Sequence, residues 1–78
     1  MEIHPSARKH GVADEDIDHA TTHAMAIDDQ HDDTRLYLGP SRSAAILEVL
    51  AILRDDGSEL AIHAMKMRRK YQRLLPEG

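Results

Sequence analysis

The stretch from Ala44 to Met65, AAILEVLAILRDDGSELAIHAM, decides the fold. Ala, Leu and Glu favour helix, and Ser58 followed by Glu59 could open a helix continuing to Leu75, so propensity alone predicts an all-helical second half. Two features oppose this. Ala45 to Leu53 is apolar almost all round rather than striped, which suits a central strand, and Asp55-Asp56-Gly57 between two apolar runs is a hairpin signal. On a strand, Leu47, Val49, Ala51 and Leu53 line one face, and Ile46, Glu48, Leu50 and Ile52 line the other. A hairpin is therefore expected, its last strand ending at His63 to Met65. Lys66 to Leu75 then forms a final helix before Pro76.

Working outward, Ser6 to His10 reads as a short helix stopped by Gly11, with Arg8, Lys9 and His10 suiting a helix C-terminus. A second helix is expected from about Asp14 to His23, with Glu15, Asp16 and Asp18 in its first turns and Ile17 and Ala20 facing inward. Met25 to Asp28 reads as a short strand, Asp28 to Thr34 as an acidic loop, Arg35 to Leu38 as a strand and Gly39-Pro40-Ser41 as a turn.

With 78 residues the chain has room for one core and one domain, residues 1–78. No cysteine is present, so neither disulfides nor a thiolate metal site can supplement that core, and a partner protein is one way to complete it. Met1 to Gly11 does not resemble a signal peptide, and the apolar run Ala44 to Leu53 is interrupted by Glu48 and far too short to span a bilayer. No membrane partner and a cytoplasmic location are the expectations.

The net charge of -4 hides a split: Met1 to Thr34 holds two Lys/Arg against nine Asp/Glu, and Arg35 to Gly78 eight against five. An anion would go to the second half, where Lys66 to Arg73 carries five cations in eight residues. A solvated helix face is the plain alternative.

The blocks SARKHGV (Ser6 to Val12) followed by an acidic helix, IDDQHDDTRLYLGPS (Ile27 to Ser41) and ILEVLAILRDDGSELAIHAMKMRRKY (Ile46 to Tyr71), in that order, resemble the BrnT-type toxins of bacterial type II toxin-antitoxin systems. The likeness covers about Ser6 to Leu75. It implies a small ribonuclease with a RelE-like α+β fold, comprising two short N-terminal helices, a small antiparallel sheet and a C-terminal helix. It also implies a cognate antitoxin as partner and RNA as substrate, with no cofactor. Carried over residue by residue, it points to Lys9, His10, Gly11, Arg35, Lys66 and Arg69. The chain departs from the family at His63-Ala64-Met65, where Ser-Ala-Arg is usual, and leaves little room for an initial strand before Ser6.

Chemistry argues for the same junction. Cutting RNA through its own 2′-hydroxyl needs a base for that proton, a cation for the phosphate and a donor for the leaving 5′-oxygen. The expected catalytic set is His63, Lys66, Arg69 and Arg35, with Arg68, Lys70, Tyr71 and Lys9 binding RNA. His63 is the acid/base candidate because imidazole titrates near about pH 6.5, and its plain reading is a histidine hydrogen-bonded at a strand end. Tyr71 can stack on a base or anchor the final helix. His19 and His23 stand four apart beside Glu15 and Asp16, a weak zinc spacing with no third ligand at motif distance, so no metal is expected. His31 reads as a solvated loop residue, and the acidic loop lacks the glycine and terminal glutamate of an EF-hand. Glu48 inside an apolar strand requires a cationic neighbour, for which Arg35 is the obvious choice. Two other functions stay open: a non-catalytic toxin-like interaction module and a helical nucleic-acid-binding domain.

Overall fold

The computed structural model describes residues 1–77. Five strands, β1 (Glu2–Ile3), β2 (Ala26–Asp29), β3 (Thr34–Pro40), β4 (Ile46–Leu53) and β5 (Glu59–Lys66), form one sheet in the order β1-β5-β4-β3-β2. Helix α1 (Asp14–Thr22) and a 3₁₀ turn, Pro5–Arg8, lie between β1 and β2, and a second 3₁₀ run, Arg69–Leu74, follows β5. No helix among the described residues is long and apolar enough to cross a membrane.

This architecture corrects the expected one. The chain is a mixed α/β protein; among the described residues its one α-helix lies between the first and second strands, and only the 3₁₀ run stands where a C-terminal α-helix was expected. An initial strand exists after all, and β1 runs parallel to β5, so the sheet is not wholly antiparallel. A mainly helical nucleic-acid-binding domain is excluded by the same topology. Of the two expected N-terminal helices, Asp14–Thr22 is α-helical, while the first shrinks to a 3₁₀ turn.

The physical reasons are local conflicts with distant partners. Lys66 still belongs to β5, and the Met67 amide continues the ladder by donating to the Ile46 carbonyl (3.0 Å). Arg68 is extended at φ -84° and ψ 152°. The remaining Arg69-to-Arg73 segment has no acid in its first turn to favour an α-helix, and Arg69 and Arg73 would repel at i, i+4.

The Asp55-Asp56-Gly57 signal does close the β4–β5 hairpin, with Gly57 at φ 86°. The β3–β4 turn lies later than the sequence suggests. It is held by the Ser41 amide donating to the Ala45 carbonyl (2.7 Å) and by Ser41 Oγ accepting from the Ala45 amide (3.1 Å). Gly39 is not a turn residue but a strand residue under α1: a Cβ there would lie 2.1 Å from the Ala20 carbonyl oxygen and 3.1 Å from the Ala24 Cα.

The main core forms where α1 and the first 3₁₀ turn cover one sheet face. Ile17 and Ala20 from α1 and Ala7 from the turn join Tyr37, Leu47, Val49, Ala51, Ala61 and Ala64. The alanines let helix and sheet approach closely, the same requirement that selects Gly39. Leu36 and Leu38 are fully buried outside that cluster, and by strand alternation they share the second face with Glu48, Leu50 and Ile52.

Gly39→Ala should therefore destabilise by about 1–3 kcal/mol or more, since backbone rather than a movable side chain occupies the space. Thermal melting should fall by roughly 4–8 °C per kcal/mol. An unchanged melting curve would show that α1 does not rest on β3 in this way.

Candidate functional site

The site begins with a parity change in β5. Along the β4–β5 ladder Ala51 faces Ala61, but Leu50 faces His63, so Ile62 is an extra residue in a β-bulge. Strict alternation from core-facing Ala61 would have sent His63 into the core. The bulge moves it to the second face, diagonal to Glu48, and returns Ala64 to the core opposite Val49.

Glu48 is fully buried. Its Oε2 accepts from His63 Nε2 (3.0 Å) and Arg68 Nη2 (2.8 Å), and its Oε1 accepts from the Arg68 amide (2.9 Å) and Arg68 Nε (3.0 Å). Among the described residues no buried side-chain polar atom lacks a partner. Burial by itself would raise the Glu48 pKa, but the Arg68 side-chain and backbone bonds and the His63 bond outweigh it and hold the pKa below its ordinary value. An ionised carboxylate only accepts hydrogen bonds, so His63 Nε2 carries the proton and Nδ1 is left as the basic nitrogen.

His10 completes the cluster. Its ring meets that of His63 edge to face, with centroids 5.6 Å apart and planes at 80°. Of the expected RNA-binding residues, Arg68 is committed to Glu48, while Arg68 and Lys70 both lie over the Tyr71 ring, at 5.8 and 5.0 Å from its centroid. Lys9, Lys66, Arg69 and Lys70 are exposed and without ion-pair partners among the described residues.

The structure does not gather the whole expected set. Arg69, Lys70 and Tyr71 follow Arg68 directly, and Lys9 adjoins His10. Lys66 pairs in register with Leu47, on the α1 side of the sheet and so opposite to His63. Arg35 pairs with Ala51 on that same side and binds Asp29 (Nε to Oδ1, 2.5 Å), with Glu59 3.9 Å away. The cation expected beside Glu48 is thus Arg68 rather than Arg35. Parity explains the difference, because Arg35 and Glu48 sit on opposite faces.

His19 and His23 stack with centroids 4.4 Å apart, His19 Nδ1 donates to the Pro40 carbonyl (2.8 Å), and Asp16 takes the Arg42 amide and Nε. Among the described residues no group of three or more His or carboxylate side chains is arranged to hold a metal.

What the cluster can do chemically is move protons beside an anion: one imidazole with a fixed tautomer, a second imidazole at its edge, and exposed cations next in the chain. Sequence reasoning singled out Glu48 as a carboxylate inside an apolar strand, with an ion pair fixing strand register at least as good a reading as a catalytic role, and did not count it in the site. No protein-family model, curated protein or solved structure matches the chain.

Arg68→Ala should destabilise the fold because it removes the guanidinium paired with the buried Glu48 charge, whereas Glu48→Gln should cost less, since the partly exposed Arg68 can turn to water. The native Glu48 pKa is depressed, so its contribution is complete above the ordinary glutamate value of about 4.3 and disappears as pH falls through the lowered native value. Urea unfolding of wild type and Glu48→Gln should therefore differ at pH 7 and converge on acidification. A gap that widens in acid would contradict the assignment.

Proposed function

We propose that the chain is an RNA-cleaving toxin of the BrnT type, acting in the cytoplasm without metal or cofactor and silenced by a cognate antitoxin. The observation that carries this reading is an imidazole held by a buried carboxylate, His63 on Glu48, next in space to a second imidazole and next in sequence to exposed cations. RNA is the fitting substrate class because it brings its own nucleophile. His63 Nδ1 takes the 2′-hydroxyl proton, and Arg69 and Lys70 hold the phosphate as charge builds on it. A base so placed contributes roughly 10²–10⁴-fold. Tyr71 offers a π-face to a neighbouring base whatever its identity. The ordered sequence blocks from Ser6 to Tyr71 support the same reading. An antitoxin segment of acidic or apolar character would cover His63 and its neighbouring cations, and by binding only the native chain it would also stabilise a small core.

One observation favours a non-catalytic interaction module instead: Met65 stands where the family motif carries a cation, and Arg68 is already neutralised by Glu48.

The two readings separate on purified, folded protein. His63→Ala should lower the RNA cleavage rate by roughly 10²-fold or more with binding nearly intact. Arg69→Ala and Lys70→Ala should each weaken binding and reduce the slope of log affinity against log salt by about 0.7. Expression of the chain should slow bacterial growth, and co-expression of the partner should relieve it. Equal cleavage by wild type and His63→Ala would remove this mechanism, and binding without any cleavage would select the interaction module.

A further inference from the structure

The proposed reaction needs two proton transfers, and His63 supplies one. The leaving 5′-oxygen must also receive a proton, and the four sequence-selected catalytic residues include one imidazole, already assigned to the 2′-hydroxyl. His10 is the other imidazole at the site, and three sets of contacts hold it there. Ser6 Oγ donates to the Ile62 carbonyl (2.7 Å), at the bulge residue just before His63. The His4 amide donates to the Ala61 carbonyl (2.8 Å), fastening the start of the 3₁₀ turn to the same strand. Arg8 clamps Asp14 through two bonds of 2.9 and 2.8 Å, tying the end of the turn to α1 across Gly11, whose φ of 77° redirects the chain. The segment between Ser6 and Asp14 is therefore secured at both ends, with His10 against His63. β1 pairs with β5 at Leu60 and Ala61, and from Ile62 onward the 3₁₀ turn takes over that edge through Ser6, which brings His10 beside His63.

Resting on the ribonuclease reading, we propose that His10 is a second catalytic residue, the general acid paired with His63 as general base. His63 has the carboxylate that stabilises an imidazolium as it forms, which suits the group that accepts a proton. His10 has no carboxylate among its hydrogen-bond or ion-pair partners in the described residues. The 2′-hydroxyl proton passes to His63 Nδ1 as the 2′-oxygen forms a bond to phosphorus. The bond from phosphorus to the 5′-oxygen breaks, and that oxygen leaves with the proton of the His10 imidazolium. The products are a 2′,3′-cyclic phosphate and a 5′-hydroxyl. No electrons change hands, and proton exchange with water restores a neutral His63 and a charged His10.

The test compares two substrates, an RNA oligonucleotide and the same oligonucleotide with sulfur in place of the scissile 5′-oxygen, which departs as a thiolate and needs no proton. On ordinary RNA, His10→Ala should lose roughly 10²-fold or more of the cleavage rate, together with the high-pH fall of the pH–rate profile. On the sulfur substrate it should cleave at close to the wild-type rate, whereas His63→Ala should be slow on both. His10→Asn, which keeps a polar side chain of similar reach, should behave as His10→Ala does, and melting curves establish that both variants are folded. If His10→Ala cleaves ordinary RNA at the wild-type rate, or is equally slow on both substrates, the assignment is overturned while the ribonuclease reading stands. If wild type cleaves neither substrate, both fall together.

Discussion

The buried Glu48 carboxylate is the constraint on which the rest of this protein depends. A charge in the middle of a central strand is tolerable only if it is fully hydrogen-bonded and paired, and Arg68 and His63 together meet that demand. Arg68 gives both its side chain and its amide, so the chain cannot leave β5 along an arbitrary path. It must pass over Glu48 in extended form before the 3₁₀ run begins. His63 must lie on the same face, and that requires the bulge at Ile62. One carboxylate thereby sets the end of the last strand, the parity of β5 and the tautomer of an imidazole.

The opposite sheet face solves a different problem. A chain of this size has few large apolar residues to spend, with no Phe or Trp and two Tyr. Close approach compensates for bulk: five alanines line the core cluster, and Gly39 lets α1 rest directly on β3. Tyr37 contributes the largest ring of that core and keeps its hydroxyl bonded to Glu59. The two faces are thus specialised, one packed by small residues under a helix and the other organised around charge.

Much of the central hairpin was legible because its signals are local. The apolar run Ala45 to Leu53 and the Asp55-Asp56-Gly57 turn act over a few residues, and nothing distant overrides them. Gly39 misled for the opposite reason: beside Pro40 it reads as a turn, but its cause is Ala20, far away in sequence. The C-terminal segment misled likewise, since local helix propensity carries no knowledge of the Glu48 oxygens waiting for the Arg68 amide. The site was half legible. That Glu48 needs a cation follows from burial energetics alone, yet choosing between Arg35 and Arg68 depends on which face each occupies. His63 stands out by chemistry, but its contact with His10 joins opposite ends of the chain through a bulge that no local pattern announces.

The pairing of β1 with β5 also orders events during synthesis. Glu2 lies opposite Leu60, so the first strand made has no neighbour until the fifth exists, and the carboxylate in β4 has no guanidinium until Arg68 has been added. Contacts of such long sequence separation close late, after their loop entropy has been met by others. A nascent chain therefore carries its histidines unassembled until β5 and Arg68 have been made, and the carboxylate–imidazole cluster closes only after them.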